Sequence, residues 1–357
     1  MGNTSMVVTV FLLEGFAEVW ELRVLLSMSY LLMYLATLLG NLIIITVTTI
    51  DRNLHTPMYF FLRNLSILDM CYISVTVPNI CVNSFINNRI ISMAGCVIQI
   101  FLVIYCAFVE TLFLTIMARE RYVAICQPLH YPVIMNHKFC VQTTLASILI
   151  GIIYAAIHTG NTFRLSFCQS NMVPQFFCDI PSLLRLSCSD TFSNKVLIFI
   201  SVFGAVGGCF IFIVMSYVRI FSTVLKFPVK EERGKAFSTC VPHILVVSVF
   251  FSCGAVVYLR PPVNSEMIQG IILSVCYTII PPFLNPLIYS LRNKQIQQAF
   301  RKIILRISII FKNEAETMTM QFLHLRKLSE AKIKILFEHL FAYFSTPKYN
   351  YACIFHY

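Results

Sequence analysis

Charge is what this chain of 357 residues has least of. Asp, Glu, Lys and Arg make up 12% of it, against about a quarter in an ordinary soluble domain, while 58% is hydrophobic. The scarcity is also arranged. No charged residue occurs between Arg23 and Asp51, Arg89 and Glu110, Lys138 and Arg164, Lys195 and Arg219, Lys235 and Arg260, or Glu266 and Arg292. Each gap is long enough to cross a hydrocarbon core, which takes roughly 20 residues of helix. A seventh apolar stretch, Pro57 to Val82, is broken only by Arg63 and Asp69. Spans are therefore expected at 24–50, 57–82, 96–122, 139–159, 195–221, 236–259 and 268–291, as an all-α membrane protein with a seven-transmembrane helix bundle. Barrel strands are excluded, because the stretches are too long and do not alternate. Other absences narrow the function. With no internal repeat, an inverted-repeat transporter loses its support. No nucleophile–base pair and no metal-spaced set of His, Cys and Asp occurs, which argues against a membrane enzyme. His158 and His243 read as satisfied helix residues. No basic region, short apolar core and cleavage site opens the chain, so the first span is expected to serve as an uncleaved signal.

The charge that is present is mostly positive, with a net +11. It sits between spans and after the last one, so nucleic acid is rejected as a partner. Arg52, Lys138, Lys226, Lys230, Arg233, Lys235, Arg292, Lys294, Arg301 and Lys302 fall on one side of a seven-span arrangement, and Arg89, Arg164, Arg185 and Arg260 on the other. Positive loops stay cytoplasmic, which predicts a multi-pass plasma-membrane protein with its N-terminus extracellular and its C-terminus cytoplasmic. Residues 1–23 would lie outside, with a glycosylation sequon at Asn3-Thr4-Ser5. The similar Asn64-Leu65-Ser66 lies in the second span and should stay unmodified.

Residues 24–291 form the span-bearing body. After them, Ile296, Phe300 and Ile303/Ile304 recur at helical spacing among basic residues. This predicts a short amphipathic helix over 292–306, lying on membrane lipids. Residues 307–357 mix Lys, Glu and Phe and carry too many charges for an eighth span. They read as a second surface helix, a disordered tail or sequence from an alternative reading of the gene, the weight falling on the last two.

Fourteen cysteines are scattered. Those within spans, such as Cys71, Cys106, Cys209 and Cys276, read as small core residues. Cys96 opens the third span on the oxidising side, and Cys168, Cys178 and Cys188 lie in the long outer loop, where disulfides form. Four cysteines allow three pairings, and the residues alone do not choose. The 25 positions from Cys96 to Arg121 make about 37 Å of helix. One helix thus carries a cross-linkable cysteine at its outer end and Glu120-Arg121-Tyr122 at its inner end, before Pro128 breaks it.

Several motifs occur in register with the seven spans. They are Gly40-Asn41, Leu54-His55-Thr56-Pro57-Met58-Tyr59, Leu65-Ser66-Ile67-Leu68-Asp69, Met117-Ala118-Arg119-Glu120-Arg121-Tyr122, Ser216-Tyr217, Lys235-Ala236-Phe237-Ser238-Thr239-Cys240, and Pro282-Phe283-Leu284-Asn285-Pro286-Leu287-Ile288-Tyr289. Over residues 8–306 the chain resembles a rhodopsin-like G-protein-coupled receptor, and specifically an olfactory receptor. The outer-loop wording is most similar to olfactory receptor family 14. Two departures stand out. Arg119-Glu120 replaces the usual Tyr-Asp, and Phe250-Phe251-Ser252 stands where Phe-Tyr-Gly is common.

The resemblance implies disulfides Cys96–Cys178 and Cys168–Cys188. It implies a G-protein switch of Glu120, Arg121, Tyr122, Tyr217, Asn285, Pro286 and Tyr289, where the bland alternative is a snorkelling charge pair. Asn41, Asp69, Glu110 and Asn285 form an expected mid-membrane polar cluster. Two nearby carboxylates there would share a proton or a cation, sodium being the candidate at Asp69 and Glu110. Helix packing through hydrogen bonds is the alternative. No other cofactor is expected.

A ligand pocket is placed by position at Val103, Ile104, Ala107, Phe108, Ser201, Ala205, Phe251, Tyr258 and Thr278. With no acid at Val103, an amine transmitter is disfavoured and a small hydrophobic volatile preferred. The function expected from the resemblance is an odorant receptor acting through a stimulatory olfactory G protein to raise cyclic AMP. The alternatives are a channel or transporter built around Asp69 and Glu110, or a non-olfactory chemosensory receptor.

Overall fold

The computed structural model describes residues 10–13, 19–86, 89–167, 171–173, 175–258, 275–276 and 278–345. They fall into two compact units, Met1–Ala299 and Phe300–Tyr357.

In the first unit the charge-free stretches are helices. α1 is Trp20–Ile50, α2 Pro57–Ile86, α3 Met93–Cys126, α4 the short Tyr131–Ile134, and α5 His137–Thr162. α6 is Ile180–Leu186, α7 Phe192–Val224, α8 Lys230–Tyr258 and α9 Ile280–Arg292. Among the described residues six helices are long and apolar enough to cross a membrane: α1, α2, α3, α5, α7 and α8. α9 is the C-terminal part of the seventh expected span, and residues 268–274 and 277 of that span lie outside the described residues.

The helices overrun the charge-free stretches at several ends, for a local reason. Hydropathy marks where lipid would be, but the hydrogen-bond ladder runs on until a cap or a proline stops it. Ser92 Oγ accepts from Gly95 N at 3.1 Å and starts α3 before Cys96. Asn136 Oδ1 accepts from Phe139 N at 2.8 Å and starts α5. Pro57 opens α2 at the position where a missing N–H costs nothing. Within the helices, Thr37, Thr48, Thr111, Thr115, Ser147 and Thr162 each donate to the carbonyl four residues back, at 2.7–2.9 Å. Their hydroxyls are satisfied without a partner from another helix.

α3 is the axle. It packs against α2, α5, α7 and α8, and Ile100, Val109, Phe113, Leu114 and Met117 along it are buried. Its approach to α5 is close enough that a Cβ on Gly151 would collide with Val109 Cγ2. α7 is different: Phe192, Phe199, Phe203 and Ile211 are more than half exposed, an apolar surface suited to lipid. It also contains a π-helical turn, Ser201–Val206.

One end of the bundle is closed by a small sheet in the order β2–β1–β3, with β1 Val10–Leu13, β2 Ile90–Ser92 and β3 Met172–Val173. β1 pairs antiparallel with β2 (Phe11 opposite Ile91) and parallel with β3 (Leu12 opposite Met172). Phe11, Leu13, Ile100, Phe167, Val173 and Leu183 form a buried cluster beneath it.

α10, Lys294–Ser345, begins in the first unit, where Ile296 and Ala299 are buried, and supplies the helix of the second. The helix runs through residue 306 without a break. The tail, for which the sequence leaves a surface helix, a disordered segment and an alternative reading of the gene as readings, is helical to Ser345. The stretch 294–345 contains neither Pro nor Gly, so nothing interrupts its ladder.

Candidate ligand end, polar core and switch

The two ends of α3 and its middle carry three distinct constellations. At the sheet-covered end, Cys96 is disulfide-bonded to Cys178 across 82 positions of sequence. One turn along, Gln99 is buried and bonded both ways. Its Oε1 accepts from Cys178 N at 2.9 Å, and its Nε2 donates to Val75 O of α2 at 3.2 Å. The outer loop is therefore held to α3 by a covalent bond and an amide clamp one turn apart. Gln99 was not singled out from the sequence, although its spacing of three from Cys96 puts both on one helix face. Cys188 is also disulfide-bonded; its expected partner Cys168 lies outside the described residues, as does Asn3. Asp179, next to the bridge and ahead of α6, has its carboxyl raised to about 6. Burial is the cause, opposed by hydrogen bonds from Ser182 and by Arg185.

The expected pocket residues divide between two neighbourhoods. Phe108 stacks on Tyr154 of α5 with ring centroids 3.8 Å apart, and Tyr154 lies 4.5 Å from the His158 ring. Ser201, the first residue of the π turn, is hydrogen-bonded to Tyr154 and donates to Ile198 O at 2.9 Å. Such turns often mark functional sites because they shift the register of the helix beyond them. Phe251 instead packs on Phe210, 4.7 Å between centroids, joining α8 to α7. Val103 and Thr278 are buried, Ile104 and Ala107 partly so, and Ala205 is exposed on α7. The Tyr258 side chain lies outside the described residues.

In the middle, one amide gathers two acids. Asn285 Nδ2 of α9 lies 3.0 and 3.2 Å from the two Asp69 carboxylate oxygens and 3.2 Å from Glu110 Oε1. Asp69, Glu110, Asn41 and Asn285 are all buried. Asn41 Nδ2 donates to Thr37 O and to Pro282 O, each at 3.1 Å. The Pro282 carbonyl is free to accept because Pro286, four residues on, has no N–H. Gly40 leaves room for the Pro286 ring, which would lie 3.1 Å from an added Cβ. Gly40-Asn41 and Asn285-Pro286 are thus two halves of one contact. Among the described residues neither Asn41 Oδ1 nor Asn285 Oδ1 finds a donor. The chamber is acceptor-rich, with more carboxylate than donors to meet it. No group of three or more His, Cys, Asp or Glu is gathered for a metal among the described residues.

At the other end, Arg121 Nε lies 3.3 Å from Glu120 Oε2, both side chains largely buried. Tyr131 OH donates to Glu120 Oε1 at 2.7 Å. Burial, then the Glu120 carboxylate, holds the Tyr131 phenol above its ordinary range. Tyr217 OH is 2.7 Å from His243 Nδ1, which ties α7 to α8. Tyr289 is buried, and its hydroxyl has no hydrogen-bond partner among the described residues. Tyr217, Cys240 and Tyr289 all lie within electrostatic range of Arg121. Tyr122 is partly buried beside them. The unusual Arg119 is exposed and sits with its guanidinium 5.4 Å over the Phe139 ring. It is a cation–π partner of α5 and points away from the Glu120 pair. Tyr131 and the pairing of His243 were missed by the sequence reading. Tyr131 follows Pro128 by three positions, and only the fold brings it back to Glu120.

The comparisons with known proteins agree with this architecture. A family model described as olfactory receptor matches residues 30–307. The chain belongs to the olfactory receptor family. It is 63% identical to human olfactory receptor 14C36 over 307 residues, covering 86% of this chain and 98% of that protein. It is 49% identical to human olfactory receptor 14A16, covering 85% and 98%. Squid rhodopsin shares the fold, with a TM-score of 0.63 at 19% identity over 80% of this chain and 82% of that one. This olfactory receptor is therefore a multi-pass membrane protein of a receptor class and not an enzyme. The family model ends at residue 307, so most of α10 lies beyond the matched part.

Proposed function

We propose that this olfactory receptor binds a small hydrophobic volatile in the disulfide-bearing half of the bundle and activates a stimulatory olfactory G protein at the Arg121 end, raising cyclic AMP. The disulfide end faces outside, with Asn3 glycosylated, and the C-terminus lies in the cytoplasm. One observation carries the reading. A single buried helix, α3, is bolted to the outer loop at Cys96 and Gln99, passes Glu110 in the acceptor-rich core, and ends in the Glu120–Arg121 pair. A ligand seated at Val103 to Phe108 that favours one packing of α3, α7 and α8 therefore biases an ion pair 13 to 18 residues further along the helix, about 20–27 Å away.

The volatile would contact Val103, Ile104, Ala107, Phe108, Ser201, Ala205, Phe251, Tyr258 and Thr278. The Phe108–Tyr154–Ser201 group supplies an aromatic wall with two hydroxyls, those of Tyr154 and Ser201, suited to a weakly polar ligand. Asp69 and Glu110 share a proton or a sodium ion at rest, which answers the excess of acceptors around Asn285. On activation Arg121 leaves Glu120 and turns toward Tyr217 and Tyr289. Expression in cells with a cyclic AMP readout across an odorant panel tests the whole reading. Arg121→Ala should abolish the evoked signal while surface staining persists. A variant that signals like the parent would remove Arg121 from the switch.

A further inference from the structure

α10 continues well past the end of the matched family, and its distal part exposes an apolar face. Met318, Phe322, Leu325, Ile333 and Leu336 are each more than half exposed. At 100° per residue they fall within one stripe of the helix. Lys327 and Lys334 lie on the opposite face, and Arg326 and Lys332 flank the stripe on either side. An exposed phenylalanine and four large aliphatics in register cost too much in water to be a solvated face.

Two further observations choose the occupant. Between Lys294 and Lys312 the chain carries Lys294, Arg301, Lys302, Arg306 and Lys312 with no acid. Beside the stripe, Lys332 stands on one side, and on the other Arg326 makes an exposed ion pair with Glu330 at 3.1 Å, a contact weak enough to be exchanged for a headgroup phosphate. The segment is also joined by its own chain to the last span of a membrane protein, so a bilayer surface is present at very high effective concentration. We propose that residues 318–336 form a docking helix for an anionic phospholipid surface, its apolar stripe in the acyl boundary and Arg326 and Lys332 on the headgroups. This would be a second membrane contact beyond the span bundle, particular to this chain's extension.

The test uses the full-length receptor in nanodiscs, with a genetically encoded fluorescent amino acid at Phe322 or at Lys327. The same lipid is on both faces of the disc, so the result does not depend on which way the chain is threaded. In discs of phosphatidylcholine with phosphatidylserine, a lipid-borne quencher should lower emission from position 322 about twofold or more and leave position 327 near its aqueous value. The difference should shrink by about half in 0.5 M salt, and with Arg326→Glu combined with Lys332→Glu. Equal access of a water-borne quencher to both positions in the anionic discs would overturn the proposal. So would quenching at 322 that disappears when discs hold one receptor instead of two, which would assign the stripe to a second copy of the chain. Circular dichroism of each variant verifies that the helix is retained.

Discussion

The two ends of α3 are built on opposite principles. At the disulfide end the loop is held by a covalent bridge, an amide with both hydrogen-bonding atoms engaged, a three-stranded sheet and an apolar cluster. At the Arg121 end the switch residues Glu120, Arg121 and Tyr217 are held by an ion pair, a phenol–carboxylate bond and a phenol–imidazole bond, with the Tyr289 hydroxyl left unused among the described residues. Each of those is worth little net free energy and can be exchanged for another partner. One end is over-determined and can serve as a fixed reference. The other is a small set of exchangeable polar contacts, of the kind that a two-state element requires.

That contrast can be broken most severely at the bridge. Cys96→Ser should cost roughly 4 kcal/mol, given the long loop it closes, and should empty the cell surface of receptor, read by surface staining and by thermal melting in nanodiscs. Glu120→Gln comes next. Breaking a largely buried pair removes about 3 kcal/mol from the resting arrangement, so basal cyclic AMP should rise toward the evoked level with surface expression unchanged. Basal signal equal to that of the parent would mean that the pair does not hold the resting state. Tyr131→Phe removes one hydrogen bond to the same carboxylate, about 1 kcal/mol or a fivefold shift in the two-state ratio, and should raise basal signal by a smaller step in the same assay.

The smallest effect returns to the anchored end. Asp179 has its carboxyl raised from 3.8 to about 6 by burial, so the folded loop prefers the proton. That preference stabilises the loop fully below about pH 4 and is lost as pH rises through about 6. Amide exchange in the loop should therefore quicken between pH 5 and 7 in the parent, after correction for the intrinsic rate, and not in Asp179→Asn.

Much of this was legible because the membrane enforces it. A charge-free run of sufficient length has few options besides a helix. An acid inside such a run must find a partner, so Asp69 and Glu110 stood out before Asn285 was seen to reach both. The proline motif was legible as a kink, and the fold adds why Asn41 goes with it: the Pro282 carbonyl has lost its own helical donor. The pocket was the least legible part. Phe108 turns to α5 and Phe251 to α7, directions that depend on neighbouring helices and on a π turn with no signature in composition. Arg119 invited a role at the switch by its position beside Glu120, yet consecutive residues on a helix point about 100° apart, and its guanidinium reaches Phe139.

By itself, then, the order of residues determined the bundle of spans, the acids and prolines buried in it, the cysteines at its rim and the olfactory receptor kinship. Those come from hydrophobic length, from the cost of burying charge and from motifs local in sequence. Only the tertiary structure decided that Gln99 clamps the loop, that Tyr131 shares Glu120 with Arg121, and that His243 holds Tyr217. These depend on which face of each helix meets which neighbour, and packing sets that across distances that no local pattern spans.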